Sequence, residues 1–221
     1  MGDLIEFTGQ GDTTAKGYLA TCDGANAGVV VIQEWWGMND QIKGVADRFA
    51  ATGYTALTPD LYDGRVTQDP DEAGHMMTGL DWVGATERDV AAAIDYLKGT
   101  SGCQSVAVMG FCMGGALTVI AGVKLPACDA AICYYGIPPV DAADPAEMQV
   151  PFQGHFASRD DWCTPKDADD LETALTSSGV DYEVHRYEAE HAFFNETVPA
   201  YDAEAAALSW ERTLGFLSRH L

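Results

Sequence analysis

Val106-Ala107-Val108-Met109, Gly110-Phe111-Cys112-Met113-Gly114 and Gly115-Ala116-Leu117-Thr118-Val119-Ile120-Ala121 follow one another without a break and read as strand, sharp turn and helix. Small residues let the chain reverse tightly, the turn pushes the Cys112 side chain out of the sheet, and the helix aims its free backbone N–H groups at it. This is a nucleophile elbow with cysteine in the position that serine more often holds. A thiol at a helix N-terminus is expected to be acidified and to act as a nucleophile.

Outward from the elbow, short apolar runs alternate with segments of helical period, the sequence form of an α/β fold with a mostly parallel sheet and helices on both faces. Leu4 to Phe7 and Lys16 to Thr21 read as an opening antiparallel pair across the turn-rich Gly9 to Thr14. Gly28 to Gln33 is a continuous β-branched run of the kind buried on both faces. Ile42, Val45, Ala46 and Phe49 mark a helix, and Tyr54 to Thr58 the next strand, ended by Pro59. Asp60 to Gly79 loses its periodicity and is expected to be a long loop with a short helix, placed to roof a pocket. Val90, Ile94 and Leu97 mark a crossover helix. Ala130 to Tyr135, Val150 to Ala157 and Tyr182 to Tyr187 complete the strands, and a last helix carries Ala207, Trp210, Leu214 and Leu217 on one face.

With 221 residues, 47% of them hydrophobic, and no linker or shift of composition, residues 1–221 are expected to form one domain. The net charge of −22 repels nucleic acid and anionic membrane surfaces, so neither is an expected partner. Scarce lysine among many aspartates fits either a high-salt cytoplasm or an ordinary acidic enzyme. No basic start, signal-like stretch or membrane-length apolar run is present, so a cytoplasmic location is expected. The 6 cysteines show no CxxC pair and no metal-ligand rhythm, which predicts reduced thiols and no metal site. Cys22, Cys103, Cys128, Cys133 and Cys163 are read as small hydrophobes, Cys112 alone as functional.

A thiol nucleophile needs a base and the base an orienting acid, which in α/β-hydrolase chain order come as nucleophile, acid, histidine. Asp160 and Asp161 follow the strand that ends near Ala157, and the choice between them favours Asp160. His191 follows the strand ending at Tyr187; His155 and His185 fall inside strands, His75 precedes the nucleophile, and His220 lies at the C-terminus. Glu34 ends the buried strand Gly28 to Gln33, where a carboxylate must be paired, hydrogen-bonded or protonated; chemistry alone leaves a capping role and a catalytic role equally open. The backbone N–H groups of Met113 and Trp35 are the candidate oxyanion donors. Tyr135, Trp36 and Phe193, with Trp35, are candidates to line an aromatic-tolerant substrate site.

Gln33-Glu34-Trp35-Trp36-Gly37, Pro59-Asp60-Leu61-Tyr62, the Cys112 elbow, Tyr134-Tyr135-Gly136, the Asp160 loop, Tyr187-Glu188 with His191, and Ala205 to Leu217 together resemble the dienelactone hydrolase family of cysteine hydrolases. The resemblance implies an α/β-hydrolase fold and a triad of Cys112, Asp160 and His191, with Glu34 helping to generate the thiolate when substrate binds. It also implies hydrolysis of unsaturated lactones through a thioester, with no metal or organic cofactor. Lactone-carboxylate hydrolases of the family hold the substrate acid with arginines, one of them four residues after the histidine. Here that position is Asn195, and Asp69 to Trp82 contains no arginine. A neutral amide is no substitute for a bidentate guanidinium, so Asn195 is a substrate-side candidate of different chemistry; Arg65 and Arg159 are candidate substitutes that no feature of the sequence places in the pocket. The competing readings are a general carboxylesterase of acyclic or aryl esters, and a ligand-binding or redox-responsive protein without turnover.

Overall fold

The computed structural model describes residues 1–221, the Asp12 side chain apart. Its strands are β1 (Asp3–Thr8), β2 (Thr14–Ala20), β3 (Ala27–Ile32), β4 (Thr55–Pro59), β5 (Ser105–Phe111), β6 (Ala130–Tyr134), β7 (Phe152–Ala157) and β8 (Tyr182–Tyr187), and they form one 8-stranded sheet in the order β1-β2-β4-β3-β5-β6-β7-β8. β1 with β2 and β2 with β4 pair antiparallel, and every other pair is parallel. The helices are α1 (Asp40–Ala51), α2 (Pro70–Gly79), α3 (Trp82–Ala85), α4 (Ala91–Gly99), α5 (Met113–Lys124), α6 (Pro165–Ser178) and α7 (Ala203–His220).

Alternation along the strands sorts the core into two layers. Val29 and Val31 face the layer of Phe49 on α1 and Phe216 on α7. Val30 and Ile32 face the layer of Leu97 on α4, Leu117 on α5 and Leu171 on α6. Both faces of the sheet are therefore covered, as a parallel sheet requires, and the α/β class read from the sequence stands. Because β3 connects to β4 on one side and lies beside β5 on the other, a crevice opens at the carboxyl ends of β3 and β5, the place where such sheets bind ligands. No helix among the described residues is long and apolar enough to cross a membrane.

The short helix expected within Asp60–Gly79 is α2: Asp69 caps it by accepting from the N–H groups of Asp71 and Glu72, and Pro70 pre-sets its first turn. Two elements depart from the sequence reading. α6 was not anticipated, since it buries only Ala168, Leu171 and Leu175; a Thr164–Asp167 capping box starts it and Gly179, at φ 77°, ends it. On α7 the buried line runs through Ala206, Ser209, Thr213, Phe216 and Leu217, while Ala207 is exposed. Ser209 and Thr213 can turn inward because the Ser209 hydroxyl donates to the Ala206 carbonyl at 3.0 Å and Thr213 shares a 2.8 Å hydrogen bond with the Tyr134 hydroxyl.

Candidate active site

β5 runs through Gly110 and Phe111, so the reversal falls on Cys112 alone, with φ 55° and ψ −118°. A non-glycine residue held there costs roughly 1–3 kcal/mol and persists only where its surroundings over-determine it. They do so here. The Cys112 N–H donates to the Tyr134 carbonyl at 3.0 Å, and the Cys112 carbonyl accepts from the Ala116 N–H at 3.1 Å. A Cβ on Gly110 would lie 2.2 Å from the Gly114 carbonyl oxygen, and one on Gly136 would lie 2.0 Å from that of Cys112. The missing side chains let α5 press its first turn against the ends of β3, β5 and β6.

Cys112 is 6% exposed, and the backbone N–H groups of Met113 and Trp35 lie near enough to its sulfur to favour the thiolate. Burial, then the nearby Glu34 carboxylate, push the thiol well above its ordinary value, and the two N–H groups oppose this less strongly. The expected acidification by the helix N-terminus is therefore not a property of the resting site. Desolvation outweighs the backbone dipoles, and the group at rest is a thiol. Cys103, Cys128, Cys133 and Cys163 are buried as expected, whereas Cys22 is half-buried; all 6 cysteines are free.

Glu34 follows β3 and is buried, accepting from the Asn195 amide at 2.8 Å on one oxygen and from the Tyr135 hydroxyl at 3.2 Å on the other. Burial raises its carboxyl above the ordinary range; the Asn195 hydrogen bond, the His191 charge and the Tyr135 hydrogen bond pull the other way. Tyr135 is itself in the left-handed region at φ 39°, fixed by donating its N–H to the His155 carbonyl at 2.8 Å.

His191 Nδ1 lies 2.7 Å from Asp160 Oδ2. The other Asp160 oxygen accepts from the N–H groups of Trp162 and Cys163, each at 2.8 Å, so the loop itself orients the carboxylate. Asp160 is buried and Asp161 exposed. The rings of Tyr135 and Trp162 meet the imidazole edge-on, with centroids 5.1 and 5.2 Å away.

These groups surround a cavity of about 410 Å³ lined by Cys112, Glu34, His191, Trp35, Trp36 and Trp162, among others. Of the residues expected to line it, only Trp35 and Trp36 do. Tyr135 and Asn195 stand behind the wall, holding Glu34, and Phe193 is core, its ring 5.3 Å from that of Tyr135 and 4.9 Å from that of Tyr187. The sequence reading missed Met77, Trp162, Glu190 and the Ala192 and Val198-Pro199-Ala200 segment. The short apolar run soon after His191 is the one signal that pointed to the last of these. No lysine or arginine lines the cavity. Arg65 reaches Glu72 and Arg159 reaches Glu188, each at 3.8 Å, on exposed ground outside it. No cluster of potential metal ligands occurs among the described residues.

The model of the dienelactone hydrolase family matches residues 15–221. The chain is 33% identical over 231 residues to the protein named usf of Aquifex pyrophilus, covering 100% of both. It is 30% identical, again over 100% of both, to a protein of Aquifex aeolicus bearing the name "Putative carboxymethylenebutenolidase". Among solved structures it resembles a dienelactone hydrolase-like promiscuous phosphotriesterase from metagenomic libraries, with a TM-score of 0.86 and 25% identity over 100% of this chain and 98% of the other.

Proposed function

The chain belongs to the dienelactone hydrolase family, and on that premise we propose that residues 1–221 act as one domain that cleaves uncharged lactones or activated esters, with Cys112 as nucleophile and a thioester as intermediate. It is an ester-hydrolysing enzyme of the α/β-hydrolase fold. The observation that carries the finer reading is Cys112, on its strained turn at the start of α5, in one cavity with a His191 whose other face is fixed by Asp160.

A carbonyl oxygen entering the cavity competes with the sulfur for the Met113 and Trp35 N–H groups. While those N–H groups still favour the sulfur anion, the thiol proton passes to Glu34, a buried carboxylate of raised proton affinity. Sulfur attacks the carbonyl carbon, and the oxyanion takes over the Met113 and Trp35 donors, each worth roughly 10²- to 10³-fold in rate at comparable sites. The C–O bond then breaks and the leaving oxygen takes the proton that Glu34 received, which restores the carboxylate. Water, deprotonated by His191, attacks the thioester carbon and expels the Cys112 thiolate, which takes the proton back from the His191 imidazolium as the acid departs. Asp160 keeps the His191 tautomer with its free nitrogen toward the cavity. No step calls for a metal or cofactor.

The test is a panel of lactones and aryl esters on wild type, with intact mass measured after a rapid acid quench. The expected result is turnover with an acyl mass on Cys112; full activity in Cys112→Ala would overturn the assignment. The cation-free lining favours a second reading, a general carboxylesterase of acyclic or aryl esters, which predicts that neutral esters outrun lactone carboxylates. A ligand-binding or redox-responsive role predicts no turnover of any compound.

A further inference from the structure

The Met113 N–H, one of the two oxyanion donors in the reading above, sits on a turn with little side chain to steady it. Met113 opens α5 and is followed by Gly114 and Gly115. The glycines let the backbone close on the sheet: a Cβ on Gly114 would lie 2.6 Å from the Gln33 and Ile32 carbonyl oxygens, and one on Gly115 would meet that of Tyr134. Those approaches set how near the turn lies to β3 and β6. The peptide unit that carries the Met113 N–H is held at its other end, where the Cys112 carbonyl accepts from Ala116 at 3.1 Å. A second hold comes through the Met113 side chain, which is fully buried and whose sulfur accepts from the Tyr62 hydroxyl at 3.1 Å. Methionine is unbranched, with three rotatable bonds, so a donor fixed on its sulfur selects the pose that the residue takes.

Tyr62 is firmly placed to deliver that hydrogen bond. It is buried in the layer of Leu61, Met76 and Met113 and does not line the Cys112 cavity. The turn that carries it is tied down along its length. The Asp60 N–H donates to the Lys16 carbonyl at 2.9 Å, and the Asp60 carboxylate accepts from the N–H groups of Tyr62, at 3.1 Å, and Gly64. Gln33, at the end of β3, accepts from the Leu61 N–H at 3.4 Å. Burial, then the nearness of Cys112, raise the phenol above its ordinary value, so it remains an O–H donor at neutral pH. A thioether is a weak acceptor, and a hydroxyl buried for stability alone is better satisfied by an oxygen.

We propose that Tyr62 is a positioning residue for ester hydrolysis: its hydroxyl, through the Met113 sulfur, holds the Met113 N–H in line for the oxyanion that forms on the substrate carbonyl. This rests on the Cys112 hydrolase reading and adds to it a residue outside the cavity.

Tyr62→Phe removes the hydroxyl alone, and Met113→Leu removes the acceptor while keeping the N–H and a similar volume. With p-nitrophenyl acetate, each is expected to lower kcat and kcat/KM alike by about tenfold, the mark of an interaction made in the transition state. The double variant is expected to match the slower single one, because both cut the same link. A trifluoromethyl ketone supplies a readout without turnover. The Cys112 sulfur adds to its carbonyl carbon as the thiol proton passes to Glu34, leaving an oxyanion with no leaving group to expel. Its Ki is expected to rise by the factor that kcat/KM loses. A folded Tyr62→Phe with kcat and Ki within about twofold of wild type overturns the proposal, as does a loss carried by KM alone or a double variant that loses the product of the two factors. If Tyr62→Phe does not fold, Met113→Leu decides on the same two readouts. Turnover by wild type with an acyl mass on Cys112 keeps the hydrolase reading standing in each of these cases; neither turnover nor a ketone adduct on Cys112 overturns both.

Discussion

Two polar groups are buried side by side, one around Glu34 beyond the end of β3 and one around His155 within β7, joined by the hydrogen bond from Tyr135 N–H to the His155 carbonyl, and they differ in what they leave uncompensated. In the first, Glu34 is held by the neutral donors Asn195 and Tyr135 with the Cys112 thiol close by, and burial raises its carboxyl. In the second, His155 contacts the Tyr187 hydroxyl at 2.7 Å, Gln153 at 2.9 Å and Thr213 at 3.2 Å, and burial holds it neutral, its pKa well below the ordinary imidazole value. Complete neutral pairing makes a strut between β7, β8 and α7. A charge-bearing group with only neutral partners makes a place where a proton can be moved. Burial alone does not distinguish a site; the remaining imbalance, next to an open cavity, does.

The strongest test of that contrast is Cys112→Ala. Ester kcat/KM is expected to drop at least about 10³-fold, with stability changed by less than about 1 kcal/mol in urea melts. Undiminished turnover would mean that the reactive group lies elsewhere. Asp160→Asn is expected to cost roughly 10²- to 10⁴-fold in kcat by releasing the His191 tautomer. Asp161→Asn, at an exposed position, marks the opposite end of the scale, with stability within about 0.5 kcal/mol and unchanged kinetics.

His155→Leu should separate the two groups cleanly. It strands the Tyr187 hydroxyl and Gln153, so a loss of about 3 kcal/mol in stability is expected, with kcat per folded molecule within about threefold. A kcat loss as deep as that of Asp160→Asn would put the strut inside the machinery. Glu34→Gln should do the reverse, lowering kcat roughly 10- to 100-fold and raising stability at neutral pH by removing a buried charge.

The two groups also predict opposite pH slopes. A raised Glu34 pKa means that the folded state holds the proton more tightly; its contribution to stability is full below the ordinary carboxylate pKa and is lost as pH rises through the folded value. A lowered His155 pKa means the converse: its contribution is full above the ordinary imidazole pKa and is lost as pH falls toward the folded value. Urea midpoints across the neutral and mildly acidic range, compared with those of Glu34→Gln and His155→Leu, should lose one limb each. Loss of the same limb in both variants would erase the distinction.

The elbow was legible because a strand, two glycines and a helix are local patterns, and the ends of β8 were read to the residue for the same reason. α6 was not, because its polar majority hides a three-residue apolar stripe. The α7 face was misjudged because buried Ser209 and Thr213 look like surface residues until Tyr134 is placed beside them. The preference for Asp160 over Asp161 agrees with the geometry, yet sequence held no decisive reason for it. What separates them is a turn that delivers two N–H groups to one carboxylate. Tyr135 and Phe193 were expected in the lining as aromatic residues beside the motifs, and Asn195 because it stands four residues after His191, where lactone-carboxylate hydrolases of the family hold an arginine, but the fold uses them one layer back.

Peroxide and disulfides react with the thiolate, not the thiol. On the proposed reading, a sulfur that stays protonated until its proton passes to Glu34 in the bound complex is shielded from oxidation between turnovers. Such an enzyme should tolerate an oxidising bath that disables thiolate-resting cysteine hydrolases and be most vulnerable to it while substrate is bound.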